Sequence, residues 1–279
     1  MARKKSGTAR AIFFLLCVCS VALAVWVTGC DKLTSKFRSL ARSHTTKERT
    51  GSRNPHHVAS SPQLAIILDD LGSDSRAAEA IFALHKPLTL SVLPFHAHST
   101  EIAEEAKNNG YEVMLHLPMQ AAGNETPEAQ QLYSGMSEND LRRTVEDMLK
   151  SVPAASGVNN HEGSLATTDE KLMMELMLLL KQRGLFFIDS RTSAATVAFD
   201  SAEKAGMRRG FRNVPFLDDV QQVPAIEKQL ELAVQGAKEK GWAIAIGHPH
   251  PETLQALKET LPRVEAQGVQ LVFVSEVVR

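Results

Sequence analysis

Between positions 63 and 279 the apolar residues fall into short runs separated by longer amphipathic stretches. LAIILDD (64–70), LTLSVLP (88–94), YEVMLHLP (111–118), ASGVNNH (155–161), GLFFIDS (184–190), RRGFRNV (208–214), GWAIAIGH (241–248) and VQLVFVSEVV (269–278) are the runs. Several are apolar at nearly every position, the pattern of strands covered on both faces. Between most of them lie helical patterns with end signals. SDSRAAEAIFALH opens on an Asp or Ser cap, STEIAEEAKNNG begins with Ser/Thr and a glutamate and closes on glycine, SENDLRRTVEDMLKSV follows, and TTDEKLMMELMLLLKQRG and AIEKQLELAVQGAKEKG close on glycine. PETLQALKETLPRVEAQG opens with proline in its first turn. Strand and helix alternate without a break, which predicts a parallel sheet covered by helices: an α/β fold, as a closed or nearly closed (β/α) barrel of seven to eight strands. An open doubly wound sheet is the alternative.

Active sites of parallel α/β folds lie at the carboxyl ends of the strands, and there the chain turns polar. The first run ends in Asp69 and Asp70, the third in His116, the fourth in Asn159, Asn160 and His161, the fifth in Asp189, Ser190 and Arg191, and the seventh in Gly247, His248 and His250. In a barrel these ends share one rim. Carboxylate and imidazole gathered there suit a divalent cation held by oxygen and nitrogen, Zn2+ first, with one position open to water. Asn159 and Asn160 also suit plain turn chemistry, and Asp189 also suits a helix N-cap. Asp218 and Asp219, a second aspartate pair, are expected to cap and face water, with the edge of the cleft as the alternative.

Composition and charge restrict the partners. The chain is 43% hydrophobic and 23% charged, ordinary for a globular protein. Eleven of its 31 Lys and Arg, but only two of its 32 Asp and Glu, fall in residues 1–61, which leaves 20 basic against 30 acidic residues in 62–279. An acidic folded part argues against a nucleic-acid partner. The three cysteines are Cys17, Cys19 and Cys30, so the domain has neither a disulfide nor a thiol nucleophile. A basic start and the uncharged stretch 11–27 form an export signal or membrane anchor. VTGC (27–30) resembles a bacterial lipobox, with Cys30 as the lipidated residue. Residues 1–30 are therefore expected to be leader or anchor and 31–62 a disordered basic stalk. Residues 63–279 are the folded domain, carried on the periplasmic side of the inner membrane.

LDDLG, EVMLHLPM, GVNNHEGS, FFIDSRT and IAIGHPHPET, in that order, resemble the divergent polysaccharide deacetylase family, relatives of the NodB-like carbohydrate esterases. The resemblance covers about residues 63–278 and implies a distorted (β/α) barrel acting on an N-acetylated envelope glycan with a bound metal. It implies Asp69 as general base, Asp70 and His116 as metal ligands, and His248, less so His250, as the acid that protonates the leaving amine. The second histidine of the usual metal motif is replaced by Gln120, and His161 is able to supply the missing imidazole. Asp189 is expected to orient His248 or bind sugar hydroxyls, with Arg191 as its pairing partner and Asn160 nearby. The family's arginine–proline motif has no clear counterpart, and with Gln120 this keeps open a noncatalytic barrel that binds glycan or protein. A metal-dependent amide or ester hydrolase with a non-sugar substrate is the third reading.

Overall fold

A computed structural model describes residues 61–123 and 128–279. The expected leader, the stalk and Cys30 lie outside the described residues. Among the described residues, no helix is long and apolar enough to cross a membrane.

Eight strands and seven α-helices are found among the described residues. They run β1 (Gln63–Leu71), α1 (Ser75–Phe82), β2 (Thr89–Val92), α2 (Ser99–Asn108), β3 (Glu112–Met119), α3 (Glu138–Ser151) and β4 (Gly157–Glu162). Next come α4 (Glu170–Gln182), β5 (Phe186–Asp189), α5 (Ala198–Ala205), β6 (Arg209–Phe211), α6 (Val223–Lys240), β7 (Trp242–Gly247), α7 (Pro251–Ala266) and β8 (Gln270–Val272). Three of the helices start on side-chain caps, with Asp74, Ser137 and Asp169 accepting from Arg76, Asp140 and Leu172 backbone N–H groups.

Every strand pairing is parallel, in the order β6-β5-β4-β3-β2-β1-β7. β8 pairs with Gln63–Ala65 of β1, on the edge that β2 occupies from Ile67 onward. β6 and β7 form no ladder. The segment after β6 bridges them instead: Asn213 N donates to Ile244 O at 2.9 Å, Ile244 N to the Asn213 side chain at 2.6 Å, and Leu217 N to Ile246 O at 2.9 Å. The result is a nearly closed barrel of seven parallel strands, as the alternation of runs and helices implies.

The expected strand 269–278 is shorter than its apolar run. After Val272 the chain tightens into a 3-10 turn, Val274–Glu276, because Val274 N donates to Thr89 Oγ1 and Ser275 N to Glu112 Oε1. Val274, Val277 and Val278 join the cluster formed by Ala65, Ile67, Met114, Phe186, Ile188, Ile244 and Ile246. That cluster is the barrel interior. Leu64, Ile66, Leu68, Leu115, Val158, Phe187, Ala243 and Ala245 belong to the other cluster, shared with the helices. Period-two alternation thus divides each strand between two cores. Continued upward, the inner face reads Asp69 after Ala65 and Ile67, His116 after Met114, and His248 after Ile244 and Ile246. The apolar floor of the barrel and its polar mouth are successive layers of one side-chain pattern.

Gly157 belongs to the floor. A Cβ there would stand 2.2–2.5 Å from the Phe186 ring. Gly157→Ala is expected to lower the unfolding free energy by about 1–3 kcal/mol through overpacking, measured by denaturant titration against wild type.

Candidate metal centre and acid–base cluster

Strict alternation would send adjacent aspartates to opposite faces of β1. The β1–β2 register shifts between Leu68 and Leu71, and Asp70 takes a left-handed backbone, φ 59°. This irregularity re-aims Asp70, as bulges do, so that both carboxylates meet the same imidazoles. A left-handed backbone costs a non-glycine residue energy, and Glu162 and Arg191, at the ends of β4 and β5, share it with φ 52°.

Asp70 Oδ1, His116 Nε2 and His161 Nδ1 form a triangle. Its sides are 3.1 Å (Asp70–His116), 3.0 Å (Asp70–His161) and 3.2 Å (His116–His161). Parallel register brings the two histidines together, since His116 and Pro118 of β3 face Asn159 and His161 of β4. Asp70 Oδ1 is fully buried and takes part in no hydrogen bond of normal geometry among the described residues, while the side chain as a whole stays 38% exposed. Ligands about 2.0–2.1 Å from a tetrahedral zinc stand about 3.3 Å from one another. The triangle therefore fits a divalent cation, with solvent access left on one side.

Asp69 sits beneath this triangle, buried, its Oδ2 3.7 Å from His116 Nε2. Asn159 Nδ2 donates to both its oxygens, at 2.9 and 3.1 Å. Burial pushes the Asp69 carboxyl upward, against the pull of His116, with the charge of Asp70 adding to the rise. Burial would raise Asp70 too, but the two imidazoles beside it hold its carboxyl well below the usual carboxylate range. His116 is raised: burial opposes its charge, and the charges of Asp69 and Asp70 outweigh that.

His248 faces Asp70 from the other side, with Nε2 3.7 Å from Asp70 Oδ2. Its Nδ1 lies 2.9 Å from Asp218 Oδ1, and its backbone N donates to Asp218 Oδ2 at 2.6 Å. Thr253 Oγ1 also donates to Asp218 Oδ2, at 2.8 Å. Burial works against the imidazolium, yet the Asp218 hydrogen bond and the Asp70 charge lift His248 to about 9.

Residues 66–278 match the divergent polysaccharide deacetylase family. The chain belongs to that family. A Haemophilus influenzae protein is 36% identical over 210 residues, 75% of this chain and 74% of that one. The Escherichia coli K12 protein YibQ is 36% identical over 197 residues, 71% of this chain but 61% of its own length. Among solved structures, ATU2773 from Agrobacterium tumefaciens C58 superposes with a TM-score of 0.74 at 21% identity, covering 80% of this chain and 92% of that one. That likeness is one of fold.

Within this divergent deacetylase domain, the predicted site residues separate into two groups. Asp69, Asp70, His116, His161 and His248 converge. His250 lies beside them, its ring centroid 5.8 Å from that of His248 and its Nε2 3.1 Å from Gln221 Nε2. Gln120 turns away: its Oε1 accepts from Ser134 N, and its backbone oxygen accepts from Leu165 and Ala166. It orders the loops after β3 and β4, while His161 completes the triangle. Asn160 also serves a loop, donating to Glu162 O and accepting from Ser190 N.

Three expectations are corrected. Asp218, not Asp189, is the partner of His248. Asp189 is consumed locally, accepting from Arg191 N, Thr196 Oγ1 and Phe199 N. Asp218 is buried rather than solvated. Arg191 does not pair with Asp189 through its guanidinium, which lies 3.6 Å over the Phe211 ring. Arg212 escaped notice in the sequence. It donates to the carbonyls of Ser190, Arg191 and Val214 and lies 4.0 Å over Phe216, whose ring centroid is 5.5 Å from that of His248.

The pKa of His248 sets a pH dependence. A histidine raised in the folded state adds stability that is fully present below its unfolded value, about 6.5, and is lost as pH rises through the folded value of about 9. An NMR titration of His248 in chelator is expected to show this elevated value. Asp218→Asn removes the first-named support and should bring the midpoint down, with the pH-dependent stability loss moving to lower pH alongside it.

Proposed function

We propose that the protein is a metal-dependent hydrolase that removes N-acetyl groups from an envelope glycan. The observation that carries the reading is the triangle of Asp70 Oδ1, His116 Nε2 and His161 Nδ1, flanked by Asp69 on one side and the His248–Asp218 pair on the other. Membership in a polysaccharide deacetylase family supports an acetylated sugar as substrate. The ligand set supports zinc, since two imidazoles and one carboxylate are a catalytic zinc set and the domain has no cysteine thiolate to offer.

Asp70, His116 and His161 would hold the cation. When bound, zinc supplies Lewis acidity, polarising a carbonyl and lowering the pKa of water towards about 7. Asp69, raised by burial and kept in place by Asn159, accepts the proton of the attacking water. His248, held protonated by Asp218, gives its Nε2 proton to the departing sugar amine. Both groups are raised, and the one direction serves opposite proton tasks: a stronger base at Asp69 and a retained proton at His248. Phe216 and Arg212 form one wall beside the acid. The reading extends to location: an exported domain held at the inner membrane by the segment before residue 62 would meet envelope glycan.

Elemental analysis of the purified full chain is expected to return one zinc per chain, lost in Asp70→Ala and in His116→Ala. Zinc at about 100 times its Kd should raise the unfolding free energy by about 2.7 kcal/mol. Acetate release from N-acetylated peptidoglycan fragments measures the reaction, with acyl esters as the comparison panel. Asp69→Asn should keep its zinc and lose about 10²–10⁴-fold in turnover. A chain that takes no zinc defeats the proposal. Zinc loading with acetate released only from esters points to a non-sugar substrate, and loading with no turnover on either panel points to a binding protein.

A further inference from the structure

Asn159 lies at the centre of the buried mouth, fully buried. Its Oδ1 lies 2.5 Å from Ser91 Oγ and 2.9 Å from His116 Nδ1. Its Nδ2 donates to both oxygens of Asp69, at 2.9 and 3.1 Å, and to Ser190 Oγ at 3.3 Å. One amide thus meets both the His116 ring of the candidate metal triangle and the Asp69 carboxylate beside it.

The chemistry of those contacts fixes the amide. A carboxylate in its ionised form only accepts, so the Asn159 edge facing Asp69 must be the NH2. The opposite edge is then the carbonyl oxygen, which needs donors. Ser91 supplies one through its hydroxyl and His116 the other through an Nδ1 proton. With its proton on Nδ1, neutral His116 carries its lone pair on Nε2, the nitrogen that points at Asp70 Oδ1 from 3.1 Å. A lone pair facing a carboxylate oxygen is repulsive unless a proton or a metal cation lies between them, and Asp70 Oδ1 is a buried oxygen without a normal hydrogen bond among the described residues.

We propose that Asn159 is a positioning residue: one side chain sets the tautomer of His116, so that Nε2 is free for the cation, and at the same time clamps Asp69 below it. A partner that fixes the far nitrogen of a metal-binding histidine is a recurring device. Here the same amide also reaches the base, so the metal edge and the basic edge of the site are aligned by a single group. Period two along β4 explains the position. Asn159 points inward between Gly157, on the floor, and His161, at the rim, and its register partners are His116 and Ile188.

The inference rests on the metal-hydrolase reading for the role of the cation; the hydrogen-bond arrangement is independent of it. The test uses the full chain, 15N-labelled, with zinc affinity taken from competition against a chromophoric chelator. Wild type should show a downfield, exchange-protected Nδ1 proton on His116, with and without zinc. Asn159→Leu, similar in size but unable to donate or accept, should lose that resonance and bind zinc about 10–100-fold more weakly. Ser91→Ala removes only one donor to Oδ1. It should weaken zinc binding by a smaller factor in the same direction, and it carries the test if Asn159→Leu does not fold. Undiminished zinc affinity in both variants, or a wild type lacking the protected Nδ1 proton, overturns the proposal. A wild type that shows the proton but takes no zinc supports the hold of Asn159 on His116 and sinks the proposed function instead.

Discussion

Negative charge at the mouth of a buried parallel strand must be matched where it lies, because water reaches it from one side only. β1 places two carboxylates there, and Asp218 adds a third nearby. Each is answered differently. Asp69 is met by amide N–H groups, Asp70 by two imidazole edges, and Asp218 by an imidazole, a backbone N–H and a hydroxyl. Amide donors leave Asp69 able to take a proton. Imidazoles hold Asp70 ionised. The site's division of labour follows from which kind of partner each carboxylate receives.

Barrel geometry makes those partners available. In parallel strands all carboxyl ends reach one rim, and period two lifts every second residue from the apolar floor into the polar mouth. Met114 leads to His116, Gly157 to Asn159 and then His161, and Ile246 to His248. The floor requires space as well as apolarity, which is why Gly157 accommodates Phe186. β1 needs an irregularity. Its bulge and the left-handed Asp70 bring both aspartates to the same side, a local strain kept at the centre of the chemistry.

Much of this was legible in the chain. Uninterrupted apolar runs alternating with capped helices announced the barrel, and polar residues at run ends marked the rim. The convergence of Asp70, His116 and His161 follows from strand order once the barrel is assumed. Asp218 was not legible. It belongs to the segment after the short β6, which bridges to β7, and paired aspartates in such a segment read equally well as caps. Asp189 misled for the converse reason: a strand-ending aspartate was satisfied by its own loop, through Arg191 N, Thr196 and Phe199 N. The end of β8 was misread because Thr89 and Glu112 offer acceptors that outcompete another strand ladder.

The placement of His161 also bears on how the site is held. A second histidine at position 120 would have hung on the loop after β3, whose ordering it would share. His161 instead stands in β4, registered against β3 by the sheet itself, and Gln120 is released to tie the loops together. Three candidate ligands on paired strands are placed by the sheet itself, and the triangle has sides of 3.0–3.2 Å. A cation at that point would neutralise much of the charge of Asp70. The support of His248 would then fall mainly to Asp218, which is buried, doubly bonded to His248 and beyond the triangle. The charge on His248 would thereby depend little on whether a cation fills the triangle, and this gives a physical reason for a third carboxylate in a mouth already crowded with two.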